Sequence, residues 1–192
     1  MSQFIPGQPV VSFFLESSDE EVVIRYPRWE DLHDLHAFIN ELSAEDTFIS
    51  FSGEEISLED EADFLLNWYK RMEFGDGVYL VCELREKIVG ACEISRNEED
   101  RARGEHVGVM GLSVAKSARR AGIGENLARA TIEEARQVIS DLRIIKLRAF
   151  AENAPAIALY TKLGFVEAGR LPGVVKYHGE FQDRVEMCLL IG

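Results

Sequence analysis

The chain has 192 residues, 46% hydrophobic and 29% charged, which is enough for one sizeable core or two small ones. Lys and Arg number 21 against 34 Asp and Glu, a formal net charge of -13. That balance argues against a broad nucleic-acid surface but leaves room for a local basic pocket for a phosphorylated ligand.

Residues 1–20 read as an irregular N-terminal arm around a short apolar stretch at 10–15. Residues 21–26 are β-branched and apolar and predict a short strand, ended by Pro27. Trp29, Leu32, Leu35 and Phe38/Ile39 recur at helical spacing. Residues 47–56 read as a loop carrying Phe48 and Phe51. Residues 58–74 predict a second helix with Phe64, Leu65, Trp68 and Met72 on one broad face, stopped by Gly75-Asp76-Gly77. Three extended runs follow, at 78–84, 87–95 and 106–114. Arg85-Glu86 joins the first two as a hairpin, and a polar loop spans 97–104.

A helix is expected over 121–140, where Leu127, Thr131, Ala135 and Val138 repeat near i,i+4. A strand is expected at 144–150. Asn153 can cap a helix running to Leu163, with Pro155 in its first turn and Gly164 at its end. Two last strands are expected at 165–168 and 184–191, separated by a Gly-containing segment. No repeat or linker breaks the pattern, so a single α/β (α+β) domain over 21–192 is the simplest organisation.

No apolar run approaches the roughly 20 residues that span a bilayer. Residues 1–10 lack a basic segment followed by an apolar one, so the chain reads as cytoplasmic, with no membrane partner. Cys82, Cys92 and Cys188 lie inside apolar runs without Cys-x-x-Cys spacing and read as buried free thiols. His33 and His36 lack a distant matching cluster, so no metal is expected. Charge is uneven. Residues 28–63 hold twelve acidic residues and one basic, whereas residues 114–148 hold eight basic and four acidic. This suggests a cation-facing and a phosphate-facing region, although each segment taken alone also fits an ordinary charged surface.

The most informative stretch is Gly111-Leu-Ser-Val-Ala-Lys-Ser-Ala-Arg-Arg-Ala-Gly-Ile-Gly-Glu-Asn-Leu127. A strand enters a short basic loop, and a helix starts at the glycines. Free amides at that helix start can surround an anion, and Lys116, Arg119 and Arg120 add positive charge. The stretch is not a P-loop, because Gly-Lys-Ser/Thr is missing, and it lacks the third glycine of a dinucleotide fingerprint.

Arg119-Arg120-Ala121-Gly122-Ile123-Gly124 resembles the Arg/Gln-x-x-Gly-x-Gly/Ala signature of GCN5-related N-acetyltransferases. A second block, Asn153-Ala-Pro-Ala-Ile-Ala-Leu-Tyr160-Thr-Lys-Leu-Gly164-Phe165, is similar to that family's following helix. The resemblance is firm over 78–192, vaguer over 21–74, and leaves the arm unexplained. It implies a mixed, twisted sheet of six or seven strands flanked by about four helices, with a cleft between the fourth and fifth strands. It further implies acetyl-CoA as co-substrate. Backbone groups of Leu112, Ser113 and Val114 would then pair with the pantetheine amides, and Arg119, Arg120, Ala121, Gly122, Ile123 and Gly124 would hold the pyrophosphate. Asn153 would meet the pantetheine arm or the helix start. Tyr160 falls at the position of the usual general acid, which protonates the departing thiolate.

The base is open among Glu105, His106 and Glu93, with water as a further alternative. Direct transfer between bound amine and thioester is expected, without an acetylated cysteine. The first two helices border the acceptor side in similar enzymes, so Glu45, Asp46, Phe48 and Phe51 are candidate acceptor contacts. The acidic surroundings point to a cationic acceptor: a small amine, a polyamine or a peptide N-terminus. A non-catalytic CoA-binding or regulatory module is the alternative. Homodimers are common in similar proteins, but no residue pattern here marks an interface.

Overall fold

The computed structural model describes residues 4–15, 18–49, 51–97 and 101–192. Its contacts divide the chain into two compact units, Met1–Ser95 with Gly111–Ser140, and Arg96–Met110 with Asp141–Gly192. Eight strands follow the order β1-β2-β3-β4-β5-β6-β8-β7. The fifth strand, β5 (Val107–Val114), contributes to both units.

In the first unit, β1 (Pro9–Phe14), β2 (Glu21–Arg25), β3 (Gly77–Leu84) and β4 (Lys87–Arg96) form an antiparallel meander. β1 is the strand beyond the six or seven expected. The apolar stretch at 10–15 does not end an irregular arm but pairs with β2. Residues 1–3 and 16–17 of that arm lie outside the described residues. Arg85 and Glu86 form the β3–β4 turn with φ of 53° and 59°. Two successive positive values are the geometry that follows strand twist in a two-residue hairpin.

Helix α1 (Leu32–Ala44) follows a 3-10 turn at Trp29–Asp31, and α2 (Leu58–Phe74) matches the predicted span. Ser57 caps α2 by accepting the Asp60 amide, and α3 (Ile123–Val138) completes the unit. Both α2 and α3 pack on β3, whose first six residues are all buried. Leu35, Leu42, Leu65, Trp68, Leu80, Ile94, Ile123 and Leu127 fill this core. Phe64 departs from the predicted face. It is 41% exposed and meets Trp68 and Tyr79 edge-on, while Glu61 takes a buried position.

A buried ion cluster fixes the entry to α1. Arg25 donates to both Asp31 carboxylate oxygens at 2.6 and 2.9 Å and to Glu83 at 2.7 Å. The Arg28 amide also donates to Asp31 at 2.9 Å. Asp31 is thereby held below the usual aspartate range, the nearby donors outweighing the opposing effect of burial.

In the second unit, β5 pairs in parallel with β6 (Ile144–Phe150) over three residue pairs, from Val107–Ile144 to Val109–Lys146. β6 pairs with β8 (Glu180–Leu190), and β8 with β7 (Val166–Tyr177). The last two strands are far longer than predicted. The Gly- and Pro-containing segment is absorbed by register shifts, and only His178-Gly179 turns the chain. Helix α4 (Ala154–Lys162) precedes β7, and Ile145, Leu147, Phe165, Val185 and Met187 form the core. Of the polar loop predicted at 97–104, Arg101–Gly104 form a 3-10 turn and residues 98–100 lie outside the described residues.

Candidate active site

Leu112, Ser113 and Val114 end β5 half-buried, and the Ala115 amide donates to the Val89 carbonyl at 2.9 Å, tying the strand end to β4. After a 3-10 turn at Lys116–Ala118, the chain takes left-handed values at Arg120 (φ 64°) and Gly122 (φ 78°). Glycine adopts that conformation without the steric cost a Cβ imposes. Gly122 is the N-cap of α3 and makes no side-chain capping bond, so the first helical turn lacks the side-chain acceptor that most helix starts use. Lys116, Arg119 and Arg120 are exposed around it, and Ile123 is buried beneath. Uncapped amides, a helix dipole and exposed cations together suit a pyrophosphate.

Arg119 is also engaged within the protein. Its Nη1 lies 2.8 Å from Glu45 Oε2, and its Nε donates to the Val114 carbonyl at 2.9 Å. Glu45 stands at the end of α1, and its second oxygen, Oε1, is buried without a hydrogen-bond partner. Asp46 follows in a left-handed turn (φ 43°), and Phe48 and Phe51 are half-buried beyond it. The next residues dock on α1 through Asn40, which bonds both the amide and the carbonyl of Ile56.

Glu93, on β4, meets the backbone of β5 at Gly111. A Cβ at Gly111 would fall 2.1 Å from Glu93 Oε1, so the carboxyl occupies space that a side chain there would fill. Burial pushes Glu93 up to about 7, partly opposed by its own backbone amide. A carboxyl at that value can take a proton near neutral pH. Tyr79 stands directly opposite in the β3–β4 register, itself buried, and its ring lies 5.4 Å from that of Trp68. Glu105 and His106, the other two base candidates, have exposed side chains before β5, and their carbonyls accept from Arg96 and from Arg143.

In the second unit, Tyr160 lies near the end of α4, 8% exposed, with its ring 5.9 Å from Phe165. Asn153 spends its side chain on the helix start, accepting the Ala156 amide at 3.2 Å. Cys82 and Cys92 are buried and Cys188 is partly so. Burial drives the Cys82 thiol up to about 12 and the Cys92 thiol strongly upward, so neither rests as a thiolate.

Two features of the Glu93 environment escaped the sequence reading: the close approach of its carboxyl to Gly111 and the facing Tyr79. A glycine within a strand is a signal for close approach of another group. The pattern does not say which group approaches. A pocket of about 340 Å³ between α1 and residues 53–55 contains none of the predicted site residues.

The acetyltransferase (GNAT) family model matches residues 19–165, and the chain belongs to that family. It is 31% identical over 122 residues to an L-amino acid N-acetyltransferase of Escherichia coli, covering 63% of this chain and 74% of that protein. Among solved structures, a GNAT acetyltransferase from Streptococcus pneumoniae superposes with a TM-score of 0.80 at 30% identity, over 89% of this chain and 99% of the other. A ribosomal-protein-alanine N-acetyltransferase from Brucella melitensis gives 0.78 at 27% identity, over 88% and 99%. The mixed sheet with four principal helices is therefore the GNAT fold, and the chain is an acyltransferase.

Proposed function

We propose that the protein moves the acetyl group of acetyl-CoA directly to a cationic primary amine, with Glu93 as the general base. The observation that carries this is Glu93 lodged against Gly111, one residue before the segment Leu112–Val114. On this reading the backbone of Leu112, Ser113 and Val114 aligns the pantetheine arm, and the loop from Arg119 to Gly124 holds the pyrophosphate. Glu93 accepts a proton from the incoming ammonium. The amine nitrogen bonds to the acetyl carbon as the carbon–sulfur bond breaks, and the acylated nitrogen sheds its remaining excess proton to water to leave the neutral amide. Tyr160 gives its phenolic proton to the departing thiolate and is reprotonated from solvent. No acetyl-cysteine is needed, in keeping with the raised thiols of Cys82 and Cys92.

The acceptor class rests on charge. Twelve acidic residues crowd 28–63, the stretch that holds α1 and the start of α2. The test is a calorimetric titration with acetyl-CoA followed by an amine panel. One site per chain, with acetylation of cationic amines over neutral ones, supports the reading. Binding without transfer to any amine overturns it in favour of a CoA-binding module.

A further inference from the structure

Helix α1 ends in an unfavourable charge. Its C-cap is Glu45, a carboxylate at the negative end of the helix dipole, and no basic residue stands in the last turn. The Glu45 side chain is only 14% exposed, and its Oε1 is buried without a hydrogen-bond partner. The compensating cation comes from outside the helix. Among the described residues it is Arg119 alone, with Nη1 2.8 Å from Oε2. A mostly buried carboxylate that loses its cation is destabilised, so the end of α1 depends on where Arg119 points.

Arg119 is itself held twice. Its Nε donates to the carbonyl of Val114, the last residue of β5, at 2.9 Å. That carbonyl belongs to the strand end assigned above to the pantetheine arm, and Arg119 opens the loop assigned to the pyrophosphate. In the empty protein, two groups that the cofactor would use are therefore bonded to each other, and one of them also to α1. A pyrophosphate competes with both for the guanidinium, because phosphate oxygens are strong partners for arginine.

The chain beyond Glu45 is tied down at two ends in different ways. Asp46 turns left-handed (φ 43°) with its amide on the Ser43 carbonyl at 3.0 Å, next to the Arg119–Glu45 pair. The far end is bonded to α1 without Arg119. Ser43 Oγ donates to the Glu54 carbonyl at 2.7 Å, and Asn40 brackets the amide and carbonyl of Ile56 at 2.9 and 3.0 Å. Phe48 and Phe51 lie between the two ends.

We infer that the Arg119–Glu45 pair is a latch released by the cofactor. Filling the basic loop draws Arg119 off Glu45 and off the Val114 carbonyl, and the chain just after Glu45 loosens while the far end stays. The acceptor side is thus fastened in the empty protein and adaptable in the loaded one. This rests on the reading that the loop from Arg119 to Gly124 takes the pyrophosphate. Glu45 is a positioning residue in this account and takes no part in bond making.

The experiment is hydrogen exchange of the full chain, read at single amides, with and without saturating CoA. In the wild type, CoA speeds exchange at Asp46 and Ile49 by at least about fivefold and leaves the Ile56 amide within about twofold. Glu45→Gln exchanges fast at Asp46 and Ile49 without CoA, and CoA adds nothing. This variant also binds CoA about threefold more tightly, because no carboxylate competes for Arg119. A purely structural Glu45 would leave that affinity unchanged or lower. Arg119→Ala, the second variant, loosens the same two amides without CoA. Unchanged or slower exchange at Asp46 and Ile49 in the CoA-bound wild type overturns the proposal. So does a CoA response that survives in Glu45→Gln, or a CoA affinity that does not rise there. Calorimetry on the same samples keeps the two readings apart. Absence of CoA binding by the folded wild type defeats the pyrophosphate assignment and the latch with it, whereas binding without the Asp46 response defeats the latch alone.

Discussion

Arg119 Nη1 lies 2.8 Å from Glu45 Oε2, joining the first arginine of the basic loop to the end of α1. The sequence reading assigned these residues to opposite ends of the reaction, one to pyrophosphate and the other to the acceptor. Their pairing makes Glu45 a structural neighbour of the basic loop. Glu45→Gln should therefore change acetyl-CoA binding less than loss of Arg119 itself does, and should cost at most about 1 kcal/mol of stability, because Arg119 is partly exposed. Arg119→Ala should weaken acetyl-CoA binding by about tenfold or more, the loss of a charge-assisted contact. Calorimetry and steady-state kinetics on the same variants check both.

Glu93→Gln should lower turnover by about 10²–10⁴-fold. In the wild type, kcat/KM should rise with pH through about 7 as Glu93 loses its proton, and the variant should lose that limb. Gly111→Ala should act on the same group from the other side, because the added methyl claims the place of Glu93 Oε1. Its turnover should fall with acetyl-CoA affinity little changed, and adding Glu93→Gln should bring little further loss.

Tyr160→Phe should reduce kcat by about 10²-fold or more while the acetyl-CoA Kd moves by less than about threefold. Cys92→Ala should retain most turnover. Loss of all activity in folded Cys92→Ala would overturn direct transfer.

Two buried acids give stability opposite pH dependences. Asp31 has a depressed value, so its contribution is present above the normal aspartate range and disappears as acid protonates it. Asp31→Asn should cost about 3–5 kcal/mol near neutrality, because Arg25 then loses its principal partner. Glu61 is raised from 4.5 to about 7, so stability is greatest below 4.5 and falls as pH climbs to 7. Glu61→Gln should flatten that decline and gain on the order of 2–3 kcal/mol at pH 8. Glu93 adds a slope of the same sign in both proteins. Urea unfolding from pH 4 to 8 measures all of this.

The basic loop, the Arg85-Glu86 hairpin and α2 were legible because each is encoded locally, by spacing, turn chemistry or a capping serine. The Glu93 environment was not. It depends on a glycine in the neighbouring strand, and a single strand pattern does not reveal which residues face each other. Glu61 was hidden for a related reason. A carboxyl inside a helix scores as solvent-facing, and only the burial of its i+4 and i+7 neighbours turns it inward. β1 escaped because six residues of mixed burial look like a loop until β2 supplies a partner.

The long outer strand β7 has a further consequence. It pairs with β8 in three short lengths, Val166–Glu167, Gly169–Leu171 and Val175–Tyr177, separated by register shifts, and Pro172 removes one donor from the rim. A sheet grows by templating an uninterrupted comb of amides and carbonyls. Here the longest intact run is three residues, about 10 Å of strand. The exposed side chains of Val166, Leu171 and Val174 along it would otherwise invite stacking of one molecule on the next. The same irregularities that disguise β7 as a loop leave this edge a poor seed for aggregation.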